Sequence, residues 1–253
     1  MTPRPATALV TGAARRIGAE IVRDLAAHGW RVVLHYRHSE TDAEATAAAA
    51  RDAGGEAITL AADLSDDAQA DALLDRAANA LGEPVGALVN NASVFAWDDV
   101  HTATRASWDA HMESNLRAPF AAAQAFVRHL PGDTAGDVVN LLDGCVWNYP
   151  PDFTSYTVSK AGLWTLTQAL AKELAPRIRV NAVGPGPALP SRGESQAAFE
   201  RTTDRLPLGR GTSPGEVAEA VRFILGAPAM TGQMIALDGG RHLGWQFPAP
   251  ASA

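Results

Sequence analysis

The amino-acid sequence predicts one α/β domain in which a mostly parallel, seven-stranded sheet is wound in both directions and covered by helices on both faces. Short runs of β-branched and apolar residues alternate with longer, Ala-rich segments of helical character along the 253-residue chain. No segment rich in proline, glycine and serine divides the chain, and no period of about 20 to 50 residues repeats. Residues 1–253 are therefore predicted to form a single domain.

Strands and helices are predicted in alternation. The first strand ends at a glycine-containing turn, and the helix that follows this turn is amphipathic. The predicted strands are Thr7–Thr11, Arg31–Tyr36, Ala57–Ala61, Ala87–Asn90, Asp137–Leu142, Ile178–Val183 and Met234–Leu237. The predicted helices fill the intervals between them and are Ile17–His28, Thr41–Asp52, Ala68–Leu81, Arg105–His129, Ser155–Leu174 and Pro214–Leu225.

Two segments lie outside this alternation. Segment 184–206 holds prolines at 185, 187 and 190 and then a short polar stretch compatible with a helix. We expect a mobile substrate loop there, with an ordinary surface excursion as the alternative. The segment from Arg241 to Ala253 lacks periodicity, so a flexible tail is expected.

Composition excludes several classes of function. The formal net charge of −7, with scattered basic residues, argues against nucleic-acid binding. The single cysteine, Cys145, rules out an internal disulfide and a thiolate metal cluster, so no metal site is predicted and a reducing compartment is indicated. No basic leader precedes a long apolar stretch, and no apolar run reaches the roughly 18 residues of a membrane span. We expect a cytoplasmic protein without membrane contact.

The first chemical motif is the turn Thr11-Gly-Ala-Ala-Arg-Arg-Ile-Gly18, between the first strand and the first helix. Glycines in such a turn let the backbone approach a dinucleotide pyrophosphate, and the helix N-terminus presents free N–H groups to the phosphates. Gly12 and Gly18 lie six residues apart, and Arg16 occupies the intermediate glycine position of the common pattern. Taken alone, the motif is equally compatible with an ordinary β–α turn.

The end of the second strand indicates which dinucleotide to expect. Proteins that bind NAD place an Asp or Glu there, about 20 residues beyond the glycines. This chain has no acid at that place and offers groups suited to a 2′-phosphate dianion. These residues are His35, Tyr36, Arg37, His38 and Ser39. NADPH is therefore the expected cofactor, the alternative being a merely solvated loop. After the third strand, Asp63 and Leu64 are placed near the adenine edge.

A second motif is Tyr156-Thr-Val-Ser-Lys160 on a predicted helix. Residues i and i+4 share one helical face, so the phenol and the ammonium project into the same cleft. A nearby cation favours the phenolate, and we expect the Tyr156 pKa to fall from about 10 toward the working pH. By itself the pair is also compatible with a surface helix.

The chain resembles the short-chain dehydrogenase/reductase family from Thr7 to about Gly240. The motifs that carry the resemblance are Thr11-Gly12 with Gly18, Asn90-Asn91-Ala92, Asn115, Tyr156 with Lys160, and Asn181 followed by Pro185-Gly186. The resemblance implies a Rossmann-like doubly wound sheet, hydride transfer from a nicotinamide, and a homotetramer assembled through the long helices. It also implies that Tyr156 donates a proton, that Lys160 holds the ribose and tunes the phenol, and that Asn115 holds a water feeding protons toward Lys160.

The cofactor-binding residues expected from these motifs extend around the carboxyl edge of the sheet. Besides the residues after the second and third strands, they are Gly12, Arg15, Arg16, Ile17, Gly18, Asn91, Ala92, Ser93, Tyr156, Lys160, Pro185 and Gly186.

One departure from the family concerns the substrate. Asp143 lies thirteen residues before Tyr156, where most members carry a serine that hydrogen-bonds the substrate carbonyl. A hydroxyl can donate to a carbonyl oxygen, whereas an ionised carboxylate can only accept. Asp143 therefore favours a substrate with N–H groups or with a ring nitrogen that must be protonated. The alternative is that Asp143 caps a turn and that Ser159 or a neighbour serves a carbonyl.

Pteridine reductases within the family share this Asp, and three further stretches here are similar to theirs. These are the turn with Arg16, the run His35-Tyr36-Arg37-His38-Ser39, and Asn91-Ala92-Ser93-Val94-Phe95. This resemblance implies that a pterin stacks between the nicotinamide and Phe95, and that Arg16 bridges the pyrophosphate and the pterin. Phe95 as a packed core aromatic is the alternative. The expected substrate-binding residues are Arg16, Ser93, Phe95, Asp143, Phe153 and Tyr156.

These motifs predict an NADPH-dependent reductase that transfers hydride to a C=N bond of a small-molecule pterin, such as dihydromonapterin, dihydrobiopterin or dihydrofolate. The alternatives are a carbonyl reductase of the 3-oxoacyl-thioester type and a non-catalytic NADPH-binding regulator. Trp97, Trp147, Phe153 and Leu189 are expected around the pocket mouth, where they would select the substrate side chain. Cys145 is expected to be a packing residue.

Overall fold

The computed structural model describes residues 4–191 and 193–244, and these form a seven-stranded parallel sheet in the order β3-β2-β1-β4-β5-β6-β7. Its strands are β1 (Thr7–Val10), β2 (Arg31–Tyr36), β3 (Glu56–Ala61), β4 (Ala87–Asn90), β5 (Gly136–Leu141), β6 (Ile178–Pro185) and β7 (Met234–Leu237). The strand order reverses direction between β1 and β4, where the carboxyl ends of parallel strands leave a crevice. The predicted fold class is confirmed.

Two helical layers cover the sheet because alternate side chains of each strand point to opposite faces. Ala8 and Val10 pack against the layer that contains α1, α2 and α8, whereas Leu9 packs against the layer that contains α3, α5 and α6. The helices are α1 (Arg16–Ala27), α2 (Glu40–Asp52), α3 (Asp67–Leu81), α4 (Arg105–Met112), α5 (Ala118–His129), α6 (Thr154–Glu173), α7 (Gln196–Thr203) and α8 (Pro214–Gly226).

The helix predicted over Arg105–His129 is present over these residues, but it is not regular. A π-helical turn at Glu113–Arg117 divides it into α4 and α5. Pro119 has no N–H to donate to the Asn115 carbonyl four residues earlier, so regular α-helical hydrogen bonding fails at this point. Wider turns of this kind often occur at functional sites.

The segment predicted as a substrate loop contains the end of β6 and all of α7, which begins after Ser195, whose hydroxyl caps its first turn. Its mobility stays a prediction. Of the predicted tail, Arg241–Leu243 forms a 3-10 turn, and residues 245–253 lie outside the described part of the chain. No helix in residues 4–191 or 193–244 is long and apolar enough to cross a membrane.

Candidate active site

A cavity of about 850 Å³ opens at the carboxyl edge of the sheet, beside the reversal of strand order. Most of the predicted site residues line it, although they come from the four connections that follow β1, β4, β5 and β6 and from helix α6. The predicted residues in its wall are Gly12, Arg15, Arg16, Ile17, Gly18, Asn91, Ala92, Ser93, Phe95, Trp97, Asp143, Phe153, Tyr156, Lys160, Pro185, Gly186 and Leu189.

The glycine turn forms a bare backbone cradle at one end of this cavity. Gly12 has a φ of +60°, and a Cβ there would lie 2.7 Å from the Cα of Ala92. A Cβ at Gly18 would lie 2.5 Å from Nδ2 of Asn91, which donates hydrogen bonds to the carbonyls of Thr11 and Gly12. The N-terminus of α1 has no side-chain cap, so its N–H groups face the cradle unused by side chains. A phosphate is the ligand that such a helix end favours.

Arg16 stands where the common pattern has a glycine, and it adopts a glycine-like backbone with a φ of +57°. Both terminal nitrogens of its guanidinium donate to the carbonyl of Pro190, each at 3.1 Å. This contact ties the glycine turn to segment 184–206. The guanidinium remains exposed within the cavity wall, so a cation is available there for an anionic or carbonyl-bearing ligand.

His35 does not belong to the phosphate-binding groups predicted after the second strand. Its side chain is only 2% exposed. Nδ1 accepts the Gly12 N–H at 3.1 Å, and Nε2 lies 3.0 Å from the Ala62 carbonyl, to which it donates. Both ring nitrogens are occupied, and burial lowers the pKa of His35 below its ordinary value of 6.5. His35 therefore supports the glycine cradle from beneath as a neutral imidazole.

Two exposed arginines lie near the end of β2, Arg37 directly after this strand and Arg15 in the glycine turn. Arg15 donates to the Ser39 hydroxyl at 2.9 Å, and Arg37 and His38 are exposed. Arg37 pairs with Asp63 at 2.7 Å, and hydrogen bonds from Ser65 hold the pKa of that carboxyl below its usual value. Arg15, Arg37 and Ser39 thus form a polar rim suited to a dianion.

Tyr36 and Leu64, two neighbours of this rim, do not point toward it. The Tyr36 side chain packs against the core layer of α1 and α2, and that of Leu64 packs against the opposite layer. Any cofactor contact of these two residues falls to their backbone groups.

Asp143 and Tyr156 meet at the floor of the cavity. The phenol donates a hydrogen bond of 3.0 Å to one carboxylate oxygen of Asp143. The other oxygen accepts the Cys145 N–H at 2.7 Å and thereby caps a short 3-10 helix at Gly144–Trp147. Asp143 therefore both caps a turn and faces the phenol, so the two roles considered for it are compatible.

The expected lowering of the Tyr156 pKa is wrong for this arrangement. Burial, followed by the negative charge of Asp143, raises the Tyr156 pKa well above 10. The Lys160 ammonium lies 5.8 Å from the centre of the phenol ring and donates to the Leu141 carbonyl at 2.8 Å. The Asp143 carboxylate, in contrast, is in direct contact with the phenol oxygen. Burial lowers the pKa of Lys160 itself to about 8.

Ser159 is not available to a substrate. Its hydroxyl is fully buried, donates to the Tyr156 carbonyl at 2.6 Å and accepts from Nδ2 of Asn115 at 3.1 Å. The alternative in which Ser159 serves a substrate carbonyl is therefore wrong. Cys145 is also buried, which raises the pKa of its thiol, as fits a packing residue.

The side chain of Asn115 holds the loop that follows β4. Its carbonyl oxygen accepts from the Val94 N–H at 2.8 Å and from the Ser93 hydroxyl at 3.0 Å, while its amide donates to the Val94 carbonyl at 2.9 Å. With these bonds and the one to Ser159, the side-chain amide is fully used. The predicted water contact of Asn115 stays a prediction and falls to its backbone carbonyl in the π-helical turn.

Three aromatic rings form one wall of the cavity. The rings of Phe95 and Phe153 stack with centroids 4.7 Å apart, and that of Phe95 meets the Tyr156 ring edge-on at the same distance. Phe95 is 49% exposed, so the interpretation as a packed core aromatic is wrong. The prediction for Trp147 is also wrong, because this ring packs against His242 and is absent from the cavity wall.

Several residues of the wall were not predicted. They come from segment 184–206 and from the 3-10 turn after β7, and include Glu194, Phe199, Thr202 and Arg241. No spacing in the sequence relates these segments to Tyr156. Only the return of the chain to the same edge of the sheet brings them there.

Comparison with known proteins places this geometry in a family. The sequence profile described as enoyl-(acyl carrier protein) reductase matches residues 12–242. The chain belongs to the short-chain dehydrogenase/reductase family. The family consists of oxidoreductases, and the chain keeps its tyrosine and lysine at Tyr156 and Lys160 in the cavity.

Three relatives of this short-chain dehydrogenase/reductase have names that give different activities. The crystal structure of FolM alternative dihydrofolate reductase 1 from Brucella suis in complex with NADP superposes with a TM-score of 0.91 at 45% identity, covering 96% of this chain and 97% of that one. Galactitol 2-dehydrogenase (L-tagatose-forming) from Cereibacter sphaeroides is 38% identical, over 93% of this chain and 94% of that protein. A 3-oxoacyl-[acyl-carrier-protein] reductase from Synechocystis is 34% identical, over 92% and 95%.

The buried neutral state of His35 predicts a pH dependence of stability. Because its pKa is lowered in the folded protein, the unfolded chain binds more protons below about pH 6.5, and the free energy of unfolding falls as the pH falls through that range. His35→Asn keeps an acceptor for the Gly12 N–H and removes the titration. Urea unfolding at pH 7.5 and pH 5 should show a smaller loss for this variant than for the wild type. His38→Asn, at an exposed position, is the matched control, and equal losses in all three proteins would refute the assignment.

Proposed function

We propose that this short-chain reductase uses NADPH to reduce a C=N bond of a pterin. The observation that carries the proposal is the carboxylate of Asp143, 3.0 Å from the Tyr156 phenol oxygen, beside the half-exposed ring of Phe95. An acceptor next to a proton donor and a flat apolar surface together suit a nitrogen heterocycle.

NADPH fits the residues at the cofactor end of the cavity. The cradle of Gly12 and Gly18 leaves no room for a Cβ, and Arg15, Arg37 and Ser39 form a rim suited to the 2′-phosphate. The FolM relative from Brucella suis was crystallised with NADP. When bound, NADPH supplies the hydride.

A pterin fits the other end. Its amino and ring N–H groups can donate to Asp143, whereas a ketone offers only an acceptor, which a carboxylate repels. Phe95 supplies a surface on which a planar ring gains stacking in addition to burial, of roughly 0.5–1.5 kcal/mol. Ser93, Phe153 and Arg16 complete the substrate-binding set. The name of the FolM relative, an alternative dihydrofolate reductase, supports the same substrate class.

Reduction of a C=N bond adds a proton to nitrogen, and Tyr156 is the group placed to donate it. Its raised pKa keeps the phenol protonated at neutral pH. A phenolate left beside Asp143 is unfavourable, so the proton must be replaced promptly. Lys160, with a pKa lowered to about 8, can release a proton readily. Asn115 is hydrogen-bonded to Ser159, the neighbour of Lys160, and would hold the water that replaces this proton.

A carbonyl reductase is the second candidate function. It is favoured by two relatives, the galactitol 2-dehydrogenase and the 3-oxoacyl-[acyl-carrier-protein] reductase. Asp143 disfavours it, because Ser159 is buried and does not replace the missing hydroxyl donor. A cytoplasmic location and a homotetramer remain part of the proposal.

Removal of Arg37 should reveal the cofactor preference. A charge-assisted hydrogen bond to phosphate contributes about 1.5–3 kcal/mol, so Arg37→Ala should raise the KM for NADPH about tenfold or more and leave that for NADH nearly unchanged. Steady-state kinetics with both cofactors measure this ratio. Arg23→Ala, which removes an exposed arginine on α1, is the control. An unchanged NADPH preference in Arg37→Ala would contradict the assigned rim.

Asp143→Ser tests the substrate class. The variant should lose pterin reduction by about 100-fold or more in kcat/KM, because the acceptor for the heterocycle is gone, and should keep or gain ketone reduction. Absorbance at 340 nm with a panel of dihydropterins and ketones measures both. Asp52→Ser makes the same exchange at an exposed position at the end of α2, away from the cavity, and should change neither. Unchanged pterin kinetics in Asp143→Ser would remove the basis of the proposal.

The lowered pKa of Lys160 predicts an alkaline limit of activity. As the pH rises through about 8, Lys160 loses its proton, and kcat/KM should fall. The Asp143 carboxylate raises the Lys160 pKa, so Asp143→Asn should move this fall to lower pH. The kcat/KM profile from pH 6 to 10 checks both statements. A limb that stays in place or moves to higher pH in the variant would contradict the coupling.

A further inference from the structure

A second polar cluster lies behind the catalytic tyrosine, outside the cavity wall. It consists of His111 on α4, Ser155 on α6 and Asp98 in the loop after β4, whose exposed fractions are 1%, 0% and 2%. Neither the cofactor end nor the substrate end of the proposed reaction uses these side chains. Buried polar groups of this kind are costly unless they are fully hydrogen-bonded, so their arrangement is informative.

Asp98 caps the catalytic helix from outside that helix. The residue before α6 is Phe153, which adopts a φ of +56° and has no side chain that can cap. The N–H of Thr154 donates to the Asp98 carbonyl at 3.3 Å, and the N–H of Ser155 donates to Oδ1 of Asp98 at 3.1 Å. The first turn of α6, which carries Tyr156, is therefore held by the loop that carries Phe95.

The hydrogen bonds of His111 have one consistent direction. The Ala96 N–H can only donate, so Nε2 of His111, 3.2 Å away, is the unprotonated acceptor. The Ser155 hydroxyl donates to Oδ2 of Asp98 and must accept from Nδ1 of His111, which lies 2.6 Å from it. His111 is thus neutral with its proton on Nδ1. Burial lowers the pKa of His111 and so also favours the neutral imidazole.

The chain of bonds joins the two parts of the site that must face each other. Ala96 is adjacent to Phe95, and Ser155 is adjacent to Tyr156. The His111 ring also packs edge-on against the Tyr156 ring, with centroids 5.9 Å apart. One turn beyond His111, Asn115 holds the same loop at Val94.

We propose that His111, Ser155 and Asp98 form a positioning network that sets the phenol of Tyr156 against the Phe95 ring, and that activity depends on its direction from imidazole to hydroxyl to carboxylate. The network rests on the proposed function only where Phe95 is said to contact a pterin. It places Tyr156 for any substrate that the enzyme reduces.

Asp98→Asn reverses the direction of hydrogen-bond donation along the network, and the side chain keeps nearly the same shape. The amide oxygen must stay on the Ser155 N–H, so the amide nitrogen donates to the Ser155 hydroxyl, which then donates to Nδ1 of His111. The imidazole proton moves to Nε2, where it opposes the Ala96 N–H. Misplacement of a catalytic group by about 1 Å can cost about 100-fold in rate. We therefore expect kcat/KM for the substrate that the enzyme reduces to fall by about 10- to 100-fold, while the KM for NADPH stays within about twofold of wild type.

Asp109→Asn is the matched control, because it removes one carboxylate from the exposed face of the same helix α4, where it pairs with Arg105. This variant should retain wild-type kinetics. The positions of the imidazole protons provide a readout that needs no substrate. Neutron diffraction, or ¹⁵N NMR of histidine-labelled protein, should find the His111 proton on Nδ1 in the wild type and on Nε2 in Asp98→Asn.

Three further variants keep the test decisive if Asp98→Asn folds poorly. His111→Gln can donate to Ser155 and accept from Ala96, so it should keep more activity than His111→Leu, which can do neither. Ser155→Ala leaves the helix cap intact, and its effect should not add to that of His111→Leu, since both break the same chain.

Wild-type kcat and KM in His111→Leu, or a wild-type proton on Nε2, would overturn the network. If the wild-type enzyme reduces ketones and no pterin, the proposed function fails, while the same variants measured with the ketone still decide the network.

Discussion

The hydrogen bond from the Tyr156 phenol to the Asp143 carboxylate is the contact on which the rest of the site depends. It places an acceptor, where the family usually has a donor, next to the group that gives up a proton. Burial and the Asp143 carboxylate together raise the pKa of the phenol, so the phenol carries its proton at neutral pH. In the proposed reaction, proton donation would leave a phenolate beside an anion, so we expect the Lys160 ammonium, whose pKa is about 8, to be needed for replacing the proton.

The loop after β4 organises the site around this contact. Asn91 joins it to the glycine cradle, Asn115 clamps it at Val94, His111 binds it at Ala96, and Asp98 caps α6. Each bond joins segments that are at least 15 residues apart. Asn115, His111 and Asp98 are buried, so losing a partner would leave a desolvated polar group unpaired. The π-helical turn contributes to the same arrangement, because it carries Asn115, whose side chain binds this loop at Val94.

Departures from the common motifs prove to be structurally connected rather than isolated. Arg16 adopts the positive φ of the glycine it replaces and reaches across to segment 184–206. His35 supports the turn below Gly12 as a neutral ring, so the proposed recognition of the 2′-phosphate falls to Arg15, Arg37 and Ser39. The proposed pterin site and the proposed NADPH site thus share one piece of backbone, the turn from Gly12 to Gly18.

Local patterning was sufficient to predict the seven strands, the long helices, and the placement of Tyr156 and Lys160 on one face, because hydrophobic period and motif spacing are short-range properties. The interest of Asp143 came from the resemblance to the family, in which most members carry a serine at that distance from the tyrosine. Folding decided the rest. The raised pKa of Tyr156, the burial of His35, the direction of Trp147 and the network of His111 depend on desolvation and on partners tens of residues away, and neither is encoded in any local window of the chain.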